Sequence, residues 1–171
     1  MKKNLIIAAT GIMIACLATS ISLYAQQKAS PPKVTQASVN DNKVVINYSS
    51  PSKKGREIYG GLVPYDKIWR TGANEATTIE LSKDANIGGV DVKAGKYALF
   101  TIPGEKEWTI IINSNAKQWG TNSYDKGKDV GRFTVAPSAL RNEQESFTID
   151  LNDSGTTTIS WDKTMVQFTI K

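Results

Sequence analysis

The chain has 171 residues, the length of one domain with a short terminal segment. It contains no histidine, which excludes Ser-His-Asp and Cys-His catalysis, histidine general bases and the usual zinc sites. The 21 basic and 16 acidic residues give a net charge of +5, a mild and dispersed positivity unlike that of nucleic-acid-binding proteins. The composition therefore predicts no metal, no cofactor and no nucleic-acid partner.

The N-terminus has the features of a secretory signal peptide. Lys2 and Lys3 precede an apolar run from Leu5 to Tyr24, and a polar segment follows Ala25. We predict cleavage after Ala25, which removes the only cysteine, Cys16, and lowers the net charge by two, to +3. Two alternatives stay open. The apolar run is long enough to remain as a membrane anchor, and Cys16 follows a Met-Ile-Ala sequence that loosely resembles a lipid-attachment box.

The chain therefore divides into a signal peptide (1–25), a flexible linker (26–35) and one β-domain (36–171). The linker contains "KASPPK", whose prolines lack amide donors and favour extended polyproline geometry. We expect an exported protein, periplasmic or secreted, that meets a membrane only through its signal peptide or a lipid on Cys16. Without disulfides the mature domain relies on its hydrophobic core, and about 145 residues are enough to build one.

From residue 36 onward the pattern predicts strand after strand. In "KVVINYSS", Val44, Ile46 and Tyr48 alternate with other residues, and "TTIELS" alternates in the same way. The segments "KYALFTIP" and "EWTIIINS" are apolar on both faces, as expected for central strands, and "PGEK" between them predicts a turn.

The last third of the chain continues this pattern. We predict strands at "ESFTIDL", "TTTISW" and "MVQFTIK", with turns at "NDSG" and "DKT". No segment has a sustained apolar period of 3.6 residues, and only "NAKQWG" and "APSALRNEQE" offer a helical turn. The sequence thus predicts an all-β, single-domain antiparallel β-sandwich or jelly roll with about nine to eleven short strands.

One long segment, Pro51 to Thr77, has only a weak strand pattern and is the main candidate site, because long irregular segments in compact domains are often functional. Arginine with Trp and Tyr is a mixture that makes specific contacts with ligands and partners. We expect a bidentate grip from Arg70, a stacking face from Trp69, and orientation of the ligand by Asn74 and Glu75. The predicted ligand-binding set is Arg56, Tyr65, Trp69, Arg70, Asn74 and Glu75, with Trp119 as a flanking sugar-stacking platform.

These residues also permit other interpretations. Tyr and Trp side chains can plug the end of a sandwich, with Arg70 paired to Glu75 or Asp66 as a structural ion pair. An envelope hydrolase would need two facing carboxylates, and Asp66 and Glu75 are the pair that this segment offers. The third alternative is a structural domain that uses the segment to dock onto another envelope protein. The leading interpretation is a non-catalytic module for a small polar or anionic ligand or a glycan.

The stretches "GREIYGGLVPYDKIWRTGANEATTIELSKD" and "AGKYALFTIPGEKEWTIIIN" resemble the domain-of-unknown-function family 2911. The pattern of that family resembles G-R-x-I-[FY]-G-x-L-V-P followed by W-R-[TL]-G-A-N-E-A-T, and the similarity covers nearly all of residues 34–171. The resemblance implies a β-rich fold and an exported protein of the kind common in Bacteroidota. It supplies no activity and no catalytic residues.

Overall fold

A computed structural model describes residues 29–171 and shows an all-β fold, which confirms the prediction. It has ten strands and one 3-10 turn, and every strand pairing in the described part is antiparallel. The strands are β1 (Pro32–Val39), β2 (Asn42–Ser49), β3 (Thr78–Leu81), β4 (Ala85–Ile87), β5 (Val90–Val92), β6 (Gly95–Ile102), β7 (Trp108–Asn113), β8 (Asp129–Val135), β9 (Ser138–Leu151) and β10 (Thr156–Thr169).

A six-stranded sheet in the order β1-β2-β3-β6-β7-β8 forms one layer of the sandwich. The long hairpin of β9 and β10 packs against one face of this sheet, and β4 and β5 form a small separate hairpin. The candidate segment, residues 51–77, connects β2 to β3 and therefore runs between neighbouring strands of the main sheet.

The main core lies between the sheet and the β9–β10 hairpin. Leu99 of β6 and Ile110 of β7 enter this core, whereas their neighbours Phe100 and Ile111 point to the opposite face of the sheet. There they form a second apolar cluster against Tyr124. Both faces of the central strands are therefore buried, as their uninterrupted apolar sequences predicted.

The start of the first strand differs from the sequence interpretation. Strand β1 begins at Pro32, so residues 32–35, which we assigned to the linker, lie in a strand. A proline fits there because it is the first residue of an edge strand, where a missing amide donor costs no ladder bond. The predicted signal peptide and the start of the linker lie outside the described residues. Within residues 29–171, no helix is long and apolar enough to cross a membrane.

The predicted turn at "DKT" is instead an irregularity within one 14-residue strand, β10. The pairing of β10 with β9 shifts register on both sides of Asp162, whose φ is +55°. A β-bulge absorbs the polar residues without ending the strand. Likewise, the "SALRNEQE" part of the proposed helical segment is the start of β9.

Candidate functional site

The "WRTGANEAT" stretch is a tightly held turn beside strand β6. Trp69 and Thr101 exchange both main-chain hydrogen bonds, at 2.7 and 3.0 Å. Across the turn, the Thr77 amide donates to the Arg70 carbonyl at 3.2 Å, and the Thr77 hydroxyl donates to the Thr71 carbonyl at 2.6 Å. The side chains of this stretch therefore start from a fixed backbone.

The same turn contains three residues with positive φ. Thr71 (+54°) and Asn74 (+60°) adopt left-handed conformations, and Gly72 has a φ of +149°. A buried β-branched residue such as Thr71 rarely adopts this conformation. Strain of this kind persists only where the surrounding structure imposes it, and it is concentrated at functional sites.

Trp69 belongs to the core. Its side chain is 7% exposed and its indole N–H donates to the Gly72 carbonyl at 3.0 Å. One ring face stacks on Trp161, with centroids 6.1 Å apart and planes 17° apart, while Tyr59 and Phe147 contact it edge-on. Aromatic neighbours thus enclose the indole, with Trp161 on one face, so Trp69 does not offer the ligand the stacking face that we expected.

A cavity of about 510 Å³ opens beside this turn, and we call it the basic cavity. It brings together four of the predicted ligand-binding residues, Arg56, Trp69, Arg70 and Asn74, and adds Lys54 and Ser52. Three of these side chains are cationic, and no acidic residue from 29 to 171 lines the cavity. The cavity therefore carries an excess of positive charge that its own walls do not neutralise.

Arg70 is the least exposed of the three cations that line the basic cavity. Its side chain is half-buried, and its Nε atom is buried with no hydrogen-bond partner in the described part of the chain. No ion pair joins it to any residue within 29–171. Burial lowers the pKa of the Arg70 guanidinium from its ordinary value, because desolvation disfavours its charged form. A half-buried cation without a partner is an electrostatic cost that an anionic ligand would offset.

Arg56 lies at the exposed side of the basic cavity. Its Nε donates to the Lys53 carbonyl at 2.9 Å and its Nη2 to the Ser52 carbonyl at 2.5 Å. Lys53 is held by ion pairs to Asp162 and Glu143, at 2.7 and 3.0 Å. Main-chain acceptors thus orient the Arg56 guanidinium without neutralising it.

Asn74 and Glu75 are adjacent in sequence but line different cavities. The Asn74 amide donates to the Ser30 carbonyl and to the Ser49 hydroxyl, both at 3.3 Å, at the edge of the basic cavity. Glu75 pairs through its backbone with Trp119 and lines a second cavity with it. Arg70 and Glu75 form no ion pair, so the structural pairing considered from the sequence is not present.

Tyr65 and Asp66 lie elsewhere, beside the turn between β6 and β7. The Asp66 amide donates to the Pro103 carbonyl at 2.8 Å, and Tyr65 lines a small cavity with Gly104. Asp66 does not line the cavity that contains Glu75. The structure therefore does not bring the two carboxylates of the hydrolase alternative into one cavity.

The second cavity, which we call the Trp119 groove, has a volume of about 700 Å³. Trp119 is 62% exposed there, and Val34 of strand β1 is 61% exposed. Glu75 and Gln118 also line the groove. The predicted set of site residues is thus divided among three cavities: Asn74 lines the basic cavity, Glu75 the Trp119 groove, and Tyr65 the small cavity beside Gly104.

Sequence reasoning missed Lys54, Gln118 and Val34 as cavity residues. The sequence could have indicated Lys54, because it lies in the basic run "KKGR" with Arg56. No sequence pattern indicates Gln118 or Val34. They reach the cavity only because strand β1 and the loop after β7 fold against residues 74–76.

Fold and site together define an all-β sandwich domain with a basic surface cavity. The chain belongs to the family described as "Protein of unknown function (DUF2911)", whose family model matches residues 30–170. This match confirms the family that the sequence motifs indicated. No curated protein and no solved structure matches the chain.

Proposed function

We propose that this protein is a non-catalytic binding domain whose basic cavity takes a small anionic ligand. The observation that carries the proposal is the half-buried guanidinium of Arg70, whose Nε has no hydrogen-bond partner and which forms no ion pair among residues 29–171. Within the same residues, the cavity is lined by two further cations and no acid. The planar fork of arginine matches the oxygens of a carboxylate, and Ser52 and Asn74 add polar contacts beside it. Free carboxylates and the acidic sugars of glycans share this chemistry.

Two alternatives receive less support. An envelope hydrolase based on Asp66 and Glu75 would require them to meet across one cleft, whereas they lie beside different structural neighbours. A docking domain would contact its partner over a broad surface patch, whereas the basic cavity is a concave pocket of the size that small ligands occupy.

Replacing Arg70 with methionine tests the proposal, because methionine keeps much of the side-chain volume and removes the charge. We expect the affinity for a bound anion to fall about 10- to 100-fold, the usual effect of losing hydrogen bonds to a charged group. Isothermal titration with galacturonate, citrate, inorganic phosphate and sulfate measures this change and distinguishes carboxylates from other oxyanions. Binding should also weaken as the salt concentration rises.

Arg141→Met is the matched control, because it removes the same charge from an exposed position on β9 outside the basic cavity. This variant should bind as the parent does. Arg70→Met should melt at the parent's temperature or above it, since it removes an uncompensated half-buried charge. A clear fall in melting temperature with unchanged binding would make Arg70 a structural brace and contradict the proposal.

We further propose that the protein is exported, on the evidence of its basic start and apolar run before Ala25. The mass of the protein recovered from its own cells tests this, and we expect the chain to begin at Gln26. A lipid-modified product beginning at Cys16 would support the lipoprotein alternative. An intact N-terminus in a membrane fraction would indicate an uncleaved anchor.

A further inference from the structure

We propose that the Trp119 groove is a second binding site, separate from the basic cavity, and that it binds a pyranose ring of a glycan. Trp119 supplies the stacking surface, and Glu75 with Gln118 supplies acceptors for sugar hydroxyls. This site would act whether or not the basic cavity binds an anion, so each proposal can fail without the other.

The first support is that Trp119 is exposed yet firmly positioned. Its two neighbours are tied to the candidate segment: the Ala76 amide donates to the Gln118 carbonyl, and the Gly120 amide donates to the Asn74 carbonyl, each at 3.0 Å. The indole of Trp119 therefore exposes apolar area to water although hydrogen bonds on both sides fix its backbone. Val34, which is also exposed, lines the same groove, and exposed apolar residues that cluster in this way mark binding sites.

The second support is a buried acceptor without a partner. Gln118 is 8% exposed, and its Nε2 donates to the Asn115 carbonyl at 2.6 Å. This bond orients the amide, but its Oε1 atom is buried and has no hydrogen-bond partner among the residues that the structure describes. A buried acceptor left unpaired costs free energy, and a ligand hydroxyl in the groove would satisfy it.

The third support is the chemistry of the remaining lining. The carboxylate of Glu75 is exposed and forms no ion pair within residues 29–171, so it is free to accept hydrogen bonds from sugar hydroxyls. Val34 and Pro32 extend the apolar surface beside the indole. One face of a pyranose presents C–H groups that match an aromatic ring, while its equatorial hydroxyls reach outward to acceptors. Lys33, Lys96 and Lys117 also line the groove and add ammonium donors. The mixture of aromatic surface, acceptors and donors favours a sugar over a purely apolar ligand.

Tryptophan fluorescence gives a readout specific to this groove. The chain has four tryptophans, and Trp69, Trp108 and Trp161 are buried, so acrylamide should quench mainly Trp119. We expect cellohexaose, chitohexaose or xylohexaose at millimolar concentration to protect Trp119 from acrylamide. Trp119→Phe should remove the quenchable signal, which verifies the assignment.

Titration calorimetry with the protective oligosaccharide then tests the residues. Trp119→Ala should weaken binding about tenfold or more, and Trp119→Phe should weaken it less because a smaller ring remains. Glu75→Gln should also weaken binding, whereas Arg70→Met, in the basic cavity, should leave it unchanged. The last result separates this site from the proposed anion site.

Three outcomes would overturn the inference. In the first, no oligosaccharide of the panel protects Trp119. In the second, protection appears on raising the protein concentration alone, which would show that a second copy of the chain covers the groove. In the third, binding is equally strong in Trp119→Ala, which would place the sugar elsewhere.

Discussion

Replacing Trp69 with alanine should destabilise the domain by about 3–5 kcal/mol, the range for truncating a large aromatic residue in a core. The indole stacks on Trp161 and meets Tyr59, Trp108 and Phe147 edge-on, so its removal leaves four aromatic neighbours facing a void. It also removes the N–H that bonds the Gly72 carbonyl. Because a domain of this size is typically stable by only about 5–15 kcal/mol, the loss is a large share of the total.

Urea denaturation followed by circular dichroism measures this effect as a lower midpoint at an unchanged slope. Trp119→Ala is the matched control, because it makes the same substitution at a 62% exposed position and should change stability by less than about 0.5 kcal/mol. If both variants lost the same stability, the assignment of Trp69 to the core would be wrong.

The fold could be predicted from the sequence because apolar residues alternate with period two in its strands and its turns contain Gly, Pro, Asn and Asp. The alternation of Val44, Ile46 and Tyr48 predicted their burial, and all three are buried in β2. What the pattern did not predict was strand length, because the bulge at Asp162 lets β10 continue through residues that resemble a turn. Local composition indicates where a chain bends, but the pairing partner decides whether the strand ends there.

The candidate site was predicted less completely, for a reason visible at Asn74 and Glu75. Neighbouring residues often point to opposite sides of a chain, so a contiguous motif does not imply a contiguous site. Here the motif supplies Arg70 and Asn74 to the basic cavity and Glu75 to the Trp119 groove. Trp69, beside Arg70, belongs to the core. The sequence could not show this, because an aromatic residue next to an arginine occurs both in cores and in binding sites.

The "WRTGANEAT" stretch therefore has two roles: it contributes Trp69 to the core, and it lines both the basic cavity and the Trp119 groove. Gly72 is the position on which this combination depends. Its φ is +149°, and an added Cβ would lie 2.8 Å from the Ser49 carbonyl oxygen and 3.3 Å from the Thr77 hydroxyl. The first contact is with backbone, which cannot rotate away as a side chain can.

Gly72→Ala should therefore destabilise the domain by about 2–5 kcal/mol, combining the cost of a forbidden backbone conformation with that of overpacking. Gly89→Ala is the control that separates the two causes, because Gly89 has a φ of +95° but no atom within 4 Å of an added Cβ. It should cost only about 1–2 kcal/mol, the conformational part alone. Urea denaturation of both variants measures the difference.

A second consequence of Gly72→Ala distinguishes a local from a global effect. Gly72 lines the basic cavity, and relief of the clash requires the turn to move away from β2, which displaces Arg70. Under conditions where the variant remains folded, anion binding should weaken while sugar protection of Trp119 persists, because the groove is held by the main-chain bonds of residues 74 and 76. Equal loss at both cavities would mean that the turn moves as one unit and that the two sites are coupled through it.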